Sequence, residues 1–167
     1  ARAFERCINL ETMNWNCKIE TLPENAFYYD GELKSIDLGS DLKTIEHKAL
    51  FKCNSIKELT IPAGVDTVNV VDLCGEYDYS GEADFDNRGY TLIFLGDNTD
   101  FEIRYGEDNI AGDNDDSIII NELVLPSKDS KAYQRMTSLD NTDIVNRVGG
   151  GSKNVLYHAV AKNTKAT

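Results

Sequence analysis

The fold is decided by residues 49–68, which read ALFKCNSIKELTIPAGVDTV. The same apolar pattern occurs 23 residues earlier, from Ala26, and a further 23 residues earlier, from Ala3. Five more apolar positions stay in register across the three units: Leu10, Leu33 and Ile56; Met13, Ile36 and Leu59; Trp15, Leu38 and Ile61; Ile19, Leu42 and Val65; and Leu22, Ile45 and Val68. A fixed period in the low twenties predicts a solenoid, in which each unit buries its apolar edge against its neighbours.

Each unit is predicted to contain a short strand whose alternate residues face the core. Ile36 and Leu38 are expected to point inward and Asp37 outward, because strand side chains alternate between two faces. Glycine or proline follows at Gly39 and Pro62 and is expected to end the strand. These breakers and the β-branched residues argue against the alternative, a repeated pair of long amphipathic helices.

The repeat resembles a known one. Residues 49–68 resemble the BspA-type leucine-rich repeat, whose units read roughly A-F-x-x-C-x-x-L-x-x-I-x-I-P-x-x-V-x-x-I. Residues 3–10 (AFERCINL) carry the same opening, and residues 25–33 (NAFYYDGEL) carry it with Asp30 in the cysteine position. The resemblance covers residues 1 to about 75, and a fragment returns at residues 120–126 (INELVLP). The resemblance implies that the chain belongs to a surface-exposed bacterial protein that attaches to host proteins or to other cells.

We therefore expect one β-rich α+β domain over residues 1–167, built as a right-handed leucine-rich-repeat solenoid. This coil has about five 23-residue units and a parallel sheet on one face. Residues 1–75 form regular repeats, residues 76–116 carry acidic insertions in units four and five around a strand near 90–96, and residues 117–167 hold the last repeat and a C-terminal cap. The chain is expected to be a piece of a longer protein, because its first unit lacks a preceding wall.

Three finer expectations concern the second half of the chain. Leu95–Gly96 is aligned with Leu38–Gly39, which sets the register of the fourth unit. A closing strand is expected at residues 154–161. The cap is expected to contain a short helix that uses Tyr133, Met136, Leu139, Ile144 and Val145.

Charge is concentrated in the insertions. The chain has a formal net charge of −12, and residues 76–116 contain 13 acidic residues against two arginines. No basic stripe is present to neutralise phosphates, which argues against nucleic acid and anionic membranes as partners. No run of apolar residues is long enough for a membrane-spanning helix.

The acidic residues of the first insertion include Asp78, Asp84 and Asp86. Their spacing matches parts of an EF-type calcium loop, but a start at Asp84 lacks the ligands at positions 5 and 12, and a start at Glu76 lacks the ligand at position 12. Two interpretations stay open: a solvated acidic loop, or a weak calcium site. No other cofactor is expected.

The cysteines are expected to be structural. Cys7 and Cys53 occupy the same position two units apart, so their Cα atoms should be about 10 Å apart if strands stack every ~4.8 Å. A disulfide requires a shorter separation, so both are expected to be buried free thiols. Burial also argues against a catalytic Cys53–His47 pair, because a nucleophilic cysteine needs exposure. The chain is therefore expected to be non-catalytic.

Two surfaces are candidates for binding a partner. The outward strand positions align across units as Thr12, Ser35, Glu58 and as Asn14, Asp37, Thr60, a polar face without an aromatic anchor. The insertion offers aromatic residues, on which interfaces commonly depend: Tyr77, Tyr79, Phe85 and Tyr90. The insertion is therefore the preferred contact region for a basic protein or a sugar, beside the sheet. The alternative is that these aromatic residues only hold the inserted segment against the solenoid.

The resulting hypothesis is a non-catalytic protein-binding or adhesion module, secreted or displayed at a bacterial cell surface. Its ligand would be a protein or a glycan, with a host as one source. The alternatives are a structural spacer within a larger multidomain protein and a calcium-dependent binding domain. The partner's identity and the oligomeric state are not encoded in any motif of the sequence.

Overall fold

The computed structural model describes residues 9–14, 18–69, 73, 90–102, 120–138 and 164–166. Within these residues the elements, in chain order, are β1 (Thr12–Asn14), β2 (Thr21–Leu22), β3 (Ser35–Asp37), β4 (Thr44–Ile45), β5 (Glu58–Ile61), β6 (Thr67–Asn69), β7 (Tyr90–Phe94), β8 (Asp100–Glu102), β9 (Ile120–Leu125), α1 (Lys131–Ser138) and β10 (Thr164–Ala166). The described part of the chain thus consists mostly of small parallel sheets, with little helix. No helix in the described part of the chain is both long and apolar enough to cross a bilayer.

The first strand of each unit pairs in parallel with its counterpart in a neighbouring unit. β1 pairs with β3 in the register Thr12↔Ser35, a shift of one 23-residue period. Strands β5, β7, β9 and β10 form a second parallel sheet, in the order β10-β9-β7-β5. Its inward row joins Leu59, Leu92 and Leu123. The period therefore predicted the β1–β3 register, and the strands expected in the fourth and fifth units are present.

The second, shorter strands build a second wall. β2 pairs with β4 and β6 pairs with β8, again in parallel. A third side consists of turns: backbone N–H groups of residues 25, 27 and 29 donate to the carbonyls of residues 47, 49 and 51. Asn25 and Tyr29, and their counterparts Lys48 and Lys52 one unit later, all adopt positive φ angles between 55° and 65°. The repeat therefore extends to the backbone conformation of its turns.

The core consists of the apolar positions of the repeat. Leu33, Ile56 and Leu59 are fully buried. Ile36 and Leu38 are also buried whereas Asp37 is exposed, which confirms the predicted alternation of β3. Burial is less complete in the first strand of the first unit, where the Met13 side chain is only partly buried.

Consecutive units approach each other closely at the corners that follow the first strands. A Cβ added to Gly96 would lie 2.7 Å from the carbonyl oxygen of Ala63, one unit earlier. A Cβ added to Gly64 would lie 2.9 Å from the carbonyl oxygen of Leu42. Only glycine fits these two positions without moving the neighbouring backbone.

The structure corrects the register expected for the fourth unit. Phe94 pairs with Ile61, which is the counterpart of Leu38, so residues 94–95 rather than residues 95–96 match Leu38–Gly39. A shift of one residue reverses the face on which each strand side chain lies. Phe94 is consequently buried in the core, and Leu95 occupies the turn position with 57% of its surface exposed.

The C-terminal part of the expectation is met where the structure describes it. α1 contains Tyr133 and Met136, both packed against the core, and the Oγ of Ser130 accepts a hydrogen bond from the N–H of Tyr133. Arg135 of α1 donates two hydrogen bonds to the carboxylate of Asp100 in β8, at 2.8 and 3.2 Å. The other expected cap residues, Leu139, Ile144 and Val145, and the strand expected at 154–161 lie outside the described residues. The closing strand that is described is β10, which pairs with β9.

Candidate binding surface on the parallel sheet

The outward strand positions form two rows across the sheets. Thr12, Ser35 and Glu58 are exposed, and the first row continues through Thr91 and Glu122. The second row contains Asn14, Asp37 and Thr60, of which the first two are exposed and Thr60 is half-buried. The rows are therefore polar over the first three units, as the sequence predicted.

The second row changes character in the fourth unit. Ile93 lies beside Thr60, and Val124 lies beside Ile93. Both apolar side chains are half-buried. Leu95, next to them, is exposed, and among the described residues the other exposed large apolar side chain is that of Tyr29. Ile93 and Leu95 are not among the residues predicted from the sequence, because the register expected for the fourth strand is one residue too late. In the observed register, in which Ile93 is paired with Thr60, the second row ends in the two apolar residues Ile93 and Val124.

A groove of about 490 Å³ lies at the C-terminal ends of β3 and β5. This volume is within the range of about 300–1,000 Å³ typical of ligand pockets. Its apolar lining consists of Ile36, Leu38, Gly39, Pro62, Ala63 and Leu95, and its polar lining of Asp37, Ser40 and Thr60.

The groove exists because two ladders are interrupted at the same place. Among the described strands, β3 pairs with β1, β5 pairs with β7, and no ladder joins β3 to β5, although the two are in contact. The second wall has the same interruption between β4 and β6. Because β3 and β5 are not joined by a ladder, the side chain of Ile36 lines the groove although it points toward the core. No sequence motif marks this interruption, so it could not be read from the repeat.

The charge beside the groove is negative. Asp37 is the ionisable residue among the described groove-lining residues, and one of its carboxylate oxygens accepts a hydrogen bond from the Gly39 N–H at 2.9 Å. Glu58 is exposed on the outward face of β5. Lysines on the same units are engaged elsewhere: Lys34 is paired with Glu11 at 3.1 Å and Lys43 with Glu20 at 2.6 Å.

The comparisons with known proteins identify the repeat. Residues 1–71 match the family model described as BspA type leucine rich repeat region (6 copies). Residues 1–71 are a BspA-type leucine-rich repeat region. The resemblance carried by the A-F-x-x-C pattern is thereby confirmed. The searches of curated proteins and of solved structures found no match.

BspA-type repeats indicate a protein-interaction module, and they are typically found in bacterial surface or secreted proteins. The BspA-type units here supply the polar rows of β1, β3 and β5 and most of the groove. Leu95, Ile93 and Val124 come from later units, beyond the matched residues. The candidate surface therefore joins the recognised repeats to the part of the chain that follows them.

The residues expected to bind within the acidic insertion have different outcomes. Tyr77, Tyr79 and Phe85, and the calcium candidates Asp78, Asp84 and Asp86, lie outside the described residues. Tyr90 was expected beside them at the surface, but it begins β7 and is 1% exposed. Its side chain lies on the same face of β7 as those of Leu92 and Phe94, which are also buried, so it belongs to the core. In the described part of the chain, no group of three or more His, Cys, Asp or Glu side chains is arranged to hold a metal ion.

The cysteine of the BspA-type pattern is structural where the structure describes it. Cys53 is a free, fully buried thiol whose Sγ donates to the carbonyl of Phe27 at 3.1 Å. Burial, together with the negative charge of Asp30, raises the pKa of this thiol far above its ordinary value. The free thiol expected at Cys53 is confirmed, and Cys7 lies outside the described residues. His47, the other member of the rejected catalytic pair, is exposed.

A second concave surface lies on the turn side of the BspA-type units. Tyr28 stacks on Phe51 with ring centroids 5.6 Å apart, and Lys52 lies 4.7 Å from the centroid of Tyr29. The Nζ of Lys52 also donates to the Tyr29 hydroxyl at 2.6 Å. A cavity of about 690 Å³ beside Tyr29 is lined by polar and acidic groups from Asn9, Glu11, Gly31 and Glu32. The Lys52 contacts fix Tyr29 in place, so this surface is more polar and more constrained than the groove.

Proposed function

We propose that this chain is a non-catalytic protein-binding module, in which BspA-type units continue past the recognised repeats as one right-handed solenoid. The domain would span residues 1–167 with about five units. The observation that carries the proposal is the continuity of the inward row Leu59, Leu92 and Leu123, which extends the stacked units into the region without a family match. Stacked units of this kind serve chiefly to present an extended surface.

The proposed role is adhesion at a bacterial cell surface or in a secreted protein, with a protein or glycan as the ligand. The family supports this role, because its repeats are typical of interaction modules in surface proteins. The composition adds the preferred contact region, which would be the acidic insertion that contains Tyr77, Tyr79 and Phe85. Excess negative charge favours partners that carry a basic patch.

The non-catalytic part of the proposal is supported by the chemistry of Cys53. A nucleophilic cysteine needs a lowered pKa and access to substrate. Cys53 has neither, because it is fully buried and its pKa is raised. The sequence suggested no stronger nucleophile.

The test is a binding panel of extracellular-matrix proteins and immobilised glycans, read by surface plasmon resonance. Two variants are compared with the natural chain: residues 77–88 deleted, and residues 77–88 replaced by a Gly/Ser segment of equal length. Both variants are expected to lose most of the binding, and the natural chain is expected to bind more weakly as salt rises from about 0.1 M to about 1 M. The replaced variant controls for the length of the segment.

Two results would contradict the proposal in different ways. If the natural chain bound no member of the panel, the structural spacer would become the better account. If the chain bound a partner and both insertion variants bound it equally well, the insertion would be excluded and the sheet surface would remain.

A further inference from the structure

We propose that the groove at the ends of β3 and β5 is a docking site for an extended segment of a partner protein, in which an apolar side chain is followed closely by lysine or arginine. The inference rests on the proposed protein-binding function and adds the site and the chemistry of its ligand. It differs from the preferred contact region in the acidic insertion, so the two sites can be tested separately.

The first argument is the exposure of Leu95. The repeat places Gly39 and Pro62 at this turn position, so a large apolar side chain is not needed to form the turn. Leu95 nevertheless stands there with 57% of its surface exposed, at one side of the groove. Exposed apolar side chains that border an apolar concavity are typical of interaction sites.

The second argument is that the groove is already formed. Its lining includes Leu38 and Pro62, and the strand row that contains the lining residue Thr60 continues into the half-buried side chains of Ile93 and Val124. The corners behind it are closely packed, because neither Gly64 nor Gly96 has room for a Cβ. A groove with fixed walls binds at a smaller conformational cost than one that must open.

The third argument is charge. Asp37 lines the groove and Glu58 is exposed on the neighbouring strand. Lys57, which precedes Glu58 in the sequence, donates a hydrogen bond to the carbonyl of Asn54 in the preceding turn at 3.4 Å. The carboxylates thus select a cationic ligand, since a negatively charged ligand would be repelled at the groove entrance.

An extended segment matches this arrangement better than a helix. Side chains of an extended chain alternate between two faces, and those on one face are about 7 Å apart. Apolar side chains on one face can therefore enter the groove while a lysine or arginine close in sequence reaches the carboxylate of Asp37. Segments of this kind commonly dock beside sheets whose edges are not fully paired.

The test is selection of random dodecapeptides displayed on phage against the natural chain, followed by affinity measurement with the selected peptides. Enriched sequences are expected to pair an apolar residue with lysine or arginine. Leu95→Ser is expected to weaken their affinity about tenfold, and Asp37→Asn about threefold with a smaller dependence on salt. Asp66→Asn is the matched control for the charge change, because Asp66 also carries an exposed carboxylate but is not among the residues that line the groove.

Unfolding curves of all three variants must overlay that of the natural chain, so that losses reflect binding alone. The proposal is overturned if no peptide is enriched, if the enriched peptides are acidic, or if Leu95→Ser binds them as well as the natural chain does. Repeating the matrix-protein and glycan panel with Leu95→Ser separates this proposal from the wider one. If the chain bound a member of the panel but no peptide, the protein-binding function would stand and the groove proposal would fail. If the chain bound peptides through Leu95 but no member of the panel, the groove proposal would stand and the adhesion function would fail.

Discussion

Replacing Gly96 by alanine is predicted to destabilise the protein through direct contact between consecutive units. The new Cβ would lie 2.7 Å from the Ala63 carbonyl oxygen, 2.8 Å from the Ala63 Cα and 3.1 Å from the Thr99 Oγ1. Backbone atoms are the closest neighbours, so a side chain cannot simply rotate away. Thr99 is itself fixed, since its hydroxyl is buried and donates to the Val65 carbonyl at 2.7 Å. Overpacking of this kind costs about 1–3 kcal/mol.

Two other glycines provide matched controls for the same substitution. A Cβ added to Gly31 would have no neighbouring atom within 4 Å, and the residue has no positive φ, so Gly31→Ala should be neutral or stabilising by about 0.4–1 kcal/mol. Gly39 also has open space but has a φ of +70°, so Gly39→Ala should cost about 1 kcal/mol through the backbone alone.

The assay is urea unfolding followed by circular dichroism. The free energies of unfolding are compared for variants whose m-values, the slopes of that free energy against urea concentration, are equal. The expected order of stability is Gly31→Ala above Gly39→Ala above Gly96→Ala. If Gly96→Ala were as stable as Gly31→Ala, the close stacking of the third and fourth units would be wrong.

Three further predictions concern the core, the buried thiol and the cap. Leu33→Ala is expected to cost about 2–5 kcal/mol, and Met13→Ala less, because Leu33 is fully buried and Met13 is partly exposed; equal losses in urea unfolding would contradict this. Cys53 is expected to resist alkylation at about pH 8 until the protein unfolds, because burial raises its pKa; peptide mass spectrometry that found rapid labelling of the native protein would refute it. Arg135→Gln is expected to cost at most about 1 kcal/mol at neutral pH, because both side chains of the pair are partly exposed. The hydrogen bond from Arg135 lowers the pKa of Asp100, so this contribution is present above the unfolded carboxyl pKa of about 3.9 and is lost as the pH falls through the lower folded value; a difference that persisted unchanged at about pH 2 would contradict the pairing.

The regular half of the fold was readable from the sequence because the same period governs every level of it. A 23-residue shift predicted that Met13 would pair with Ile36, and the strands pair in that register. Burial followed from the same pattern, since residues that recur at one position must face the same shared core. The positive φ angles of Asn25 and Lys48 recur with the period as well, but neither residue type predicts them strongly.

The candidate site was less predictable because it arises where the repeat is broken. The turn position that is Gly39 in the second unit and Pro62 in the third is Leu95 in the fourth. The end of the fourth strand is therefore not marked by a glycine or proline at that position and could not be predicted from one. The groove depends on the absence of a ladder between β3 and β5 among the described strands, and strand pairing of that kind is set by packing rather than by local preference. The choice of Tyr90 as a surface residue failed because one position separates an inward side chain from an outward one.

The central claim is that the stacked units continue beyond the recognised repeats, and inter-strand nuclear Overhauser effects test it most directly. The measurement uses protein labelled at leucine methyl groups, with the signals assigned by single substitutions. The account predicts contacts from Leu59 to Leu92 and from Leu92 to Leu123, because these three residues occupy one inward row. Contacts that placed Leu92 against a residue other than Leu59 in the third unit, or the absence of any contact between Leu92 and Leu123, would contradict it.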